Sequence, residues 1–342
     1  MSPVSIFEVL DWLRAGAFLA SGVADSLVWN GDDYALSGFA AVDRSGSSDV
    51  TFWLGGTAAS DTHANGYASS VLARVQAGLL FAPPECAGLA SELPGVRCLA
   101  IVDSPYHAMV EFLNRFASGC SDAVTGCAAG VRVHPSAVVE GYVGENSVIG
   151  PGCVVMRGAK VGANCSLEAN VTIYPNVEIG EKCVFQAGSV IGSRGFGFYE
   201  YAGERRMVPH YAGVRIGNSC SFGANMVVAA GFVSPTIIGN RCHFDSFVQV
   251  GHNCILGDDI FMASQSGLAG SVVVEDGVEL AGGAQVAGHL TLGKGARIAA
   301  KAGVTKSIPA GRMVSGFPAI DINVWRKAMV NLKRLGEKSG TR

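Results

Sequence analysis

Counted in sixes from Val143, the chain is apolar at Val143, Ile149, Val155, Val161, Leu167, Ile173, Ile179, Phe185 and Ile191. The register breaks, then resumes at Ile216, Phe222 and Val228. After a four-residue slip it runs without a miss through Ile238, Phe244, Val250, Leu256, Met262, Leu268, Val274, Leu280, Val286, Leu292, Ile298 and Val304. Glycine often follows the apolar position, as at Gly144, Gly150, Gly162 and Gly239. Three residues before it stand Asn146, Gly152, Gly158, Asn164, Asn170, Asn176, Gly188, Asn253, Asp259, Gly277 and Gly295. Asn, Asp and Gly reach positive φ at least cost, so these are corners. Each hexad is a short strand and a corner. A period of six with this chemistry predicts a hexapeptide parallel β-helix. Its coils stack at about 4.8 Å, and the apolar position fills the interior. Periodicity does not give the handedness, and a repeat sets architecture without setting chemistry.

Residues 1–125 lack the six-period. They open with an amphipathic helix around Phe7–Leu13, continue with short strands near Asp49–Leu54 and Ala77–Phe81, and hold a second helix over Pro105–Phe116. This predicts a small α/β domain, with residues 118–130 as a linker. The solenoid is expected over 126–312, interrupted by a loop at 193–213, and a helical extension over 313–342. A loop thrown from a solenoid belongs on a binding face or packs on a neighbouring part of the chain. Both readings stay open.

Apolar residues make up 49% of the 342 and charged residues 15%, which excludes a disordered chain. Glycine, at 46 residues without a three-residue period, fits frequent turning rather than collagen. The net charge of −3 does not suggest a nucleic-acid partner. No apolar run reaches the ~18 residues of a membrane span, and the N-terminus reads as a helix rather than a signal peptide. The ten cysteines form no CxxC pair and sit singly among apolar neighbours. They are expected to be reduced thiols acting as small hydrophobes in the cytoplasm. Against the acidic whole, the C-terminal segment carries Arg326, Lys327, Lys333, Arg334, Lys338 and Arg342 against Asp321 and Glu337. That reversal fits an acidic partner or a solvated helix face.

Of seven histidines, His252 and His289 stand out by position. His252 precedes the corner residue Asn253, so it projects from an edge. His289 follows thirty-seven residues later, two eighteen-residue coils plus one. The two are therefore expected near one edge, of order ~10 Å apart. Histidine is the natural base for an attacking amine or hydroxyl near neutrality. Asp245 is a candidate to orient it, with Gln249 and Asn253 of the same stretch in support. The alternatives are an exposed corner histidine or a metal ligand with Cys242, His243 and Cys254, although no usual zinc spacing occurs. No P-loop, dinucleotide fingerprint or triad signature is present.

Four motifs stand in order: Ile191-Gly-Ser-Arg-Gly-Phe-Gly-Phe, Val248-Gln-Val-Gly-His-Asn, Gly288-His-Leu-Thr-Leu-Gly, and Ser315-Gly-Phe-Pro-Ala with Val324-Trp-Arg-Lys. With Asp103-Ser-Pro-Tyr-His-Ala they resemble the UDP-3-O-acylglucosamine N-acyltransferases of lipid A biosynthesis, the LpxD family, over nearly the whole chain. The resemblance implies a mainly β protein built on a left-handed β-helix, assembled as a homotrimer with active sites between subunits. It implies transfer of a 3-hydroxyacyl chain from acyl carrier protein to the 2-amino group of a UDP-3-O-acylated glucosamine, without a cofactor or metal. His252 matches the family's catalytic base and His289 its second active-site histidine, assigned to the thioester carbonyl. Phe52, Asn65 and Tyr67 stand in for the family's uracil site at a wider spacing than usual. The basic helix, with Arg326, Lys327, Lys333 and Arg334, becomes the docking site for the acidic carrier. An acyl-CoA-dependent transferase acting on another nucleotide amino sugar, and an inactive trimeric scaffold, remain as alternatives.

Overall fold

The computed structural model describes residues 1–16, 18–21, 23, 26–29, 31–54, 74–117, 123–316 and 322–339. The protein is mainly β. From Gly126–Cys127 to Met313–Val314 the chain winds through three parallel sheets of nine, ten and nine strands. These are called here the first, second and third sheets, in the order the chain meets them. Each strand pairs with the strand one coil later, as Val250 does with Leu268 and Leu268 with Val286. All twenty-four apolar positions of the six-period lie inside, none more than 5% exposed. Every corner residue named from the sequence adopts positive φ, between 57° and 86°. Phe247 and His289 do so as well, at 60°, because coil geometry overrides the ordinary preference of a bulky side chain. Glycine after the apolar residue has a packing reason. At Gly150 a Cβ would come 2.7 Å from the Glu168 carbonyl oxygen of the next coil.

Stacking makes columns of like residues inside the coil. Phe185, Phe222 and Phe244 stack at 4.5 and 5.2 Å between ring centroids. Burying such side chains contributes about 1.5–3 kcal/mol each. Beside them run Cys165, Cys183, Cys220 and Cys242, whose Sγ atoms donate to the carbonyls of Gly180, Gly217, Gly239 and Gly257 at 3.2–3.3 Å. Ser147 makes the same kind of bond to the Gly162 carbonyl at 2.9 Å. The nine described cysteines are free thiols, and all but Cys127 are buried. Interior burial pushes the Cys254 thiol up to about 12.

The N-terminal part is a five-stranded sheet in the order Leu27–Trp29, Cys98–Ile101, Leu79–Ala82, Asp49–Phe52, Gly38–Phe39. All neighbours are parallel except the first pair. Helix α1 (Ile6–Ala15) is capped by the Ser5 hydroxyl, which accepts from the Phe7 N–H. Helix α2 (Pro105–Phe112) is capped by Ser104 and widens into a π-helical turn over Leu113–Ala117. Both helices pack Ile6, Leu10, Leu13, Met109 and Phe112 into the core with Leu79 and Phe81. Residues 126–130, where the linker and solenoid readings of the sequence overlap, belong to the first coil. At the other end, helix α3 (Ile322–Ser339) presents Arg326, Lys327, Lys333 and Arg334 to solvent. Among the described residues no helix is long and apolar enough to cross a membrane.

Two excursions leave the coil. Residues 193–213 form a hairpin, Phe198–Tyr201 against Glu204–Met207. It lies on α2, where Tyr199 Oη is 2.8 Å from His107 Nδ1 and the Tyr201 ring stacks on His107 at 3.6 Å. Arg206 approaches Glu111 at 3.9 Å. The four-residue slip in the repeat is the second excursion, over 229–235. It puts Phe232 and Val233 into the core of the N-terminal part. The two excursions meet at one edge of the solenoid.

Candidate active site

The strand Gln249–Val250 of the third sheet ends at a corner, and the chain enters Ile255–Leu256 of the first sheet beyond it. His252 and Asn253 make that corner. Asn253 takes φ 59°, which its side chain tolerates, and its backbone N–H donates to Thr236 Oγ1 at 2.9 Å. The Asn253 carboxamide is held at both ends. Oδ1 accepts the Phe232 N–H at 3.1 Å, and Nδ2 donates to the Ser234 carbonyl at 2.8 Å. The oxygen therefore faces Nδ1 of His252, 3.1 Å away. Only an Nδ1–H can satisfy that contact, so the neutral imidazole is the tautomer with a bare Nε2. The ring is half-buried, and its Nε2 and Cε1 lie over Gly270. A Cβ at position 270 would sit 2.6 Å from both atoms.

His289 is on the same edge. It is itself a corner residue, exposed, with its N–H donating to the Gly270 carbonyl at 3.1 Å. Ser271 occupies the corner between, donating to the His252 carbonyl at 2.8 Å. Asn253 and His289 are thus two coils apart, about 10 Å along the edge.

The structure departs from the sequence expectations at other positions. Asp245 does not orient His252 within the chain. It lies at the preceding corner, where its carboxylate accepts the N–H groups of Ser246 at 2.7 Å and Ser264 at 3.1 Å. Gln249 is exposed on the outer face of the third sheet, in register with Val227 and Gly267, and is not drawn to the histidine. Cys242 and Cys254 turn their thiols onto interior carbonyls, while His243 is exposed and pairs with Ser221 Oγ at 2.7 Å. These three side chains do not converge. Phe52 is only 6% exposed, packed against Tyr106 at 5.6 Å and Phe232 at 6.0 Å between centroids. Its ring faces are spent on the core rather than open to a base. Asn65 and Tyr67 lie outside the described residues.

The model of the bacterial transferase hexapeptide family (six repeats) matches residues 141–173 and 158–193. A UDP-3-O-acylglucosamine N-acyltransferase from Hydrogenovibrio crunogenus is 42% identical over 192 residues, which is 56% of this chain and 55% of that protein. The chain thus spans about half the length of that relative. UDP-3-O-acylglucosamine N-acyltransferase 2 of Rhodopseudomonas palustris is 33% identical over 339 residues, covering 89% of this chain and 83% of the relative. The chain belongs to the UDP-3-O-acylglucosamine N-acyltransferase family. Among solved structures, a Francisella novicida UDP-N-acetylglucosamine acyltransferase is similar over 59% of this chain and 73% of that one, at 24% identity and a TM-score of 0.47.

In this member of the UDP-3-O-acylglucosamine N-acyltransferase family the site holds a residue that the sequence analysis does not single out. His210 closes the hairpin excursion, 9% exposed, with its ring centroid 4.9 Å from that of His252. Its Nδ1 donates to the Val208 carbonyl at 3.0 Å. Burial, and then the neighbouring His252, hold its pKa down to about 4, so it is neutral at neutrality. Phe232, at 6.4 Å, continues the contact from His210 to Tyr106 and Phe52 of the N-terminal part. The only sequence signals for these groups are the two breaks in the six-period. Each break contributes part of the wall around His252.

Proposed function

We propose that the protein is an N-acyltransferase that moves a 3-hydroxyacyl chain from acyl carrier protein to the 2-amino group of UDP-3-O-acylglucosamine. The carrying observation is the contact between His252 Nδ1 and the doubly held Asn253 Oδ1, which calls for an Nδ1–H and so leaves Nε2 as the proton acceptor. In the proposed reaction the amine nitrogen attacks the thioester carbonyl, and Nε2 takes the proton the amine must shed. A C–N bond forms and the C–S bond breaks. The imidazolium returns the proton to the departing thiolate, giving an amide and the free carrier thiol. His289, two coils along, is assigned to the carbonyl of the donor.

The chain is proposed to act as a homotrimer in the cytoplasm. Phe247, Phe261 and Met313 are 58%, 51% and 72% exposed, the kind of apolar surface that a neighbouring copy covers. A groove of about 800 Å³ on the second sheet includes Asp245, Phe261 and Met313. Asp245 and Gln249, which do not serve His252 of their own chain, are available to a site shared with a second copy. The free cysteines suit a reducing compartment. The exposed Arg326, Lys327, Lys333 and Arg334 of α3 suit an acidic carrier. The test is mass spectrometry of products from a panel of acyl carrier protein and acyl-CoA donors with UDP-amino sugars. An amide on the 2-amino group with the carrier thioester as donor is expected. Transfer from CoA alone, or to a hydroxyl only, would overturn the reading.

A further inference from the structure

We propose that His210 is a positioning residue for His252: its buried ring is the wall that holds the base with Nε2 over Gly270. The inference deepens the proposed function and rests on His252 being the base. Among the described residues the His252 ring has one hydrogen bond, to Asn253. A single bond leaves an imidazole free to swing about its side-chain torsions. The arrangement closes that freedom from the other side. The His210 ring stands 4.9 Å away, tilted by 58°, in edge contact. It is itself held by the Val208 carbonyl and backed by Phe232. Residues 195–197 run over both rings. A Cβ at Gly195 would lie 2.7 Å from His252 Cβ and 2.8 Å from His210 Nε2, and one at Gly197 3.0 Å from His210 Cε1. The segment fits only without side chains there, as expected where backbone must close on two packed rings. Because burial keeps His210 neutral, the wall adds no positive charge beside the imidazolium that forms when His252 takes a proton.

The test is ¹⁵N NMR of the histidines of the full chain at neutral pH, together with steady-state kinetics. In the wild type, His252 is expected as the Nδ1–H tautomer. In His210→Ala the tautomers should mix and kcat fall about tenfold, with KM for both substrates within about twofold. His210→Phe, which keeps a ring against His252, should restore both readouts. His210→Asn, which keeps only the bond to Val208, should not. An unchanged tautomer and turnover in His210→Ala would overturn the proposal. So would rescue by Asn and not by Phe, which would make His210 an anchor of its own loop. If the wild type transfers no acyl group but the tautomer responds as stated, the positioning role stands and the proposed function fails.

Discussion

Asn253 Oδ1 lies 3.1 Å from His252 Nδ1, and the other end of the same carboxamide is pinned to the Ser234 carbonyl. A side chain that cannot flip decides which nitrogen of its neighbour carries the proton. The fixing groups, the Phe232 N–H and the Ser234 carbonyl, come from the 229–235 excursion.

Asn253→Gly keeps the positive φ at low cost and removes the carboxamide. Losing one orienting hydrogen bond of about 1–1.5 kcal/mol should lower kcat roughly tenfold. The KM for the nucleotide sugar should stay near that of the wild type. Steady-state kinetics with the purified variant checks this. Unchanged kcat would mean that His252 does not need Asn253.

Gly270 serves His252 through space rather than through backbone conformation. In Gly270→Ala the new Cβ would meet the imidazole at 2.6 Å, and the ring, not the coil, would move. A displacement of about 1 Å at a catalytic group can cost 10²-fold. Activity should fall by about that factor while the melting temperature stays within a few degrees of the wild type. Retained activity would place the reacting atoms elsewhere.

How much of this was legible in the chain depends on where the periodicity holds. The interior column from Val143 to Val304 and the corners at Asn146, Asn164 and Asn253 follow from one rule repeated every six residues, and the structure places each of them as expected. His252 and His289 could be put on one edge by counting. The count is silent where the repeat breaks. His210 and Phe232 come from residues 193–213 and 229–235, whose positions are set by packing on α2 and on the N-terminal sheet. Asp245 shows the opposite limit. A carboxylate seven residues before a histidine looks like its partner in sequence, yet a corner lies between them and the backbone N–H groups of Ser246 and Ser264 claim it. The aromatic ring of Phe52 suggests a base-stacking role by resemblance, and in the structure that ring is buried against Tyr106.

The buried histidines make stability depend on pH. His210 is held down to about 4 by burial first, with His252 and Arg194 pushing the same way, and burial also lowers His107. Unfolded histidine titrates near 6.5, so below that pH the unfolded chain binds protons that the folded chain refuses. The contribution is complete above about 6.5 and is lost progressively as pH falls toward about 4, by up to about 3 kcal/mol for His210. Urea denaturation at pH 7.5, 5.5 and 4.5 should show a steeper loss in the wild type than in His210→Phe. Parallel curves would contradict the assignment.

Reversing the charge of α3 tests the donor. With Arg326 and Lys327 both exposed, the double change to Glu should raise the apparent KM for acyl carrier protein several-fold at low salt. The effect should shrink at high salt, where the Debye length is short. Acyl-CoA turnover, if any, should be unaffected. A KM for the carrier that does not change at low salt would remove this helix from donor recognition.

The most direct measurement is single-turnover acyl transfer by His252→Ala, with saturating acyl carrier protein thioester and UDP-3-O-acylglucosamine, across pH 5.5–9. A positioned base contributes about 10²–10⁴-fold. The amide-forming rate should fall by at least 10²-fold at every pH. Donor binding and the melting temperature should persist, because the ring stands outside the interior column of Val250 and Leu256. A variant that forms amide at near wild-type rate would show that His252 is not the base.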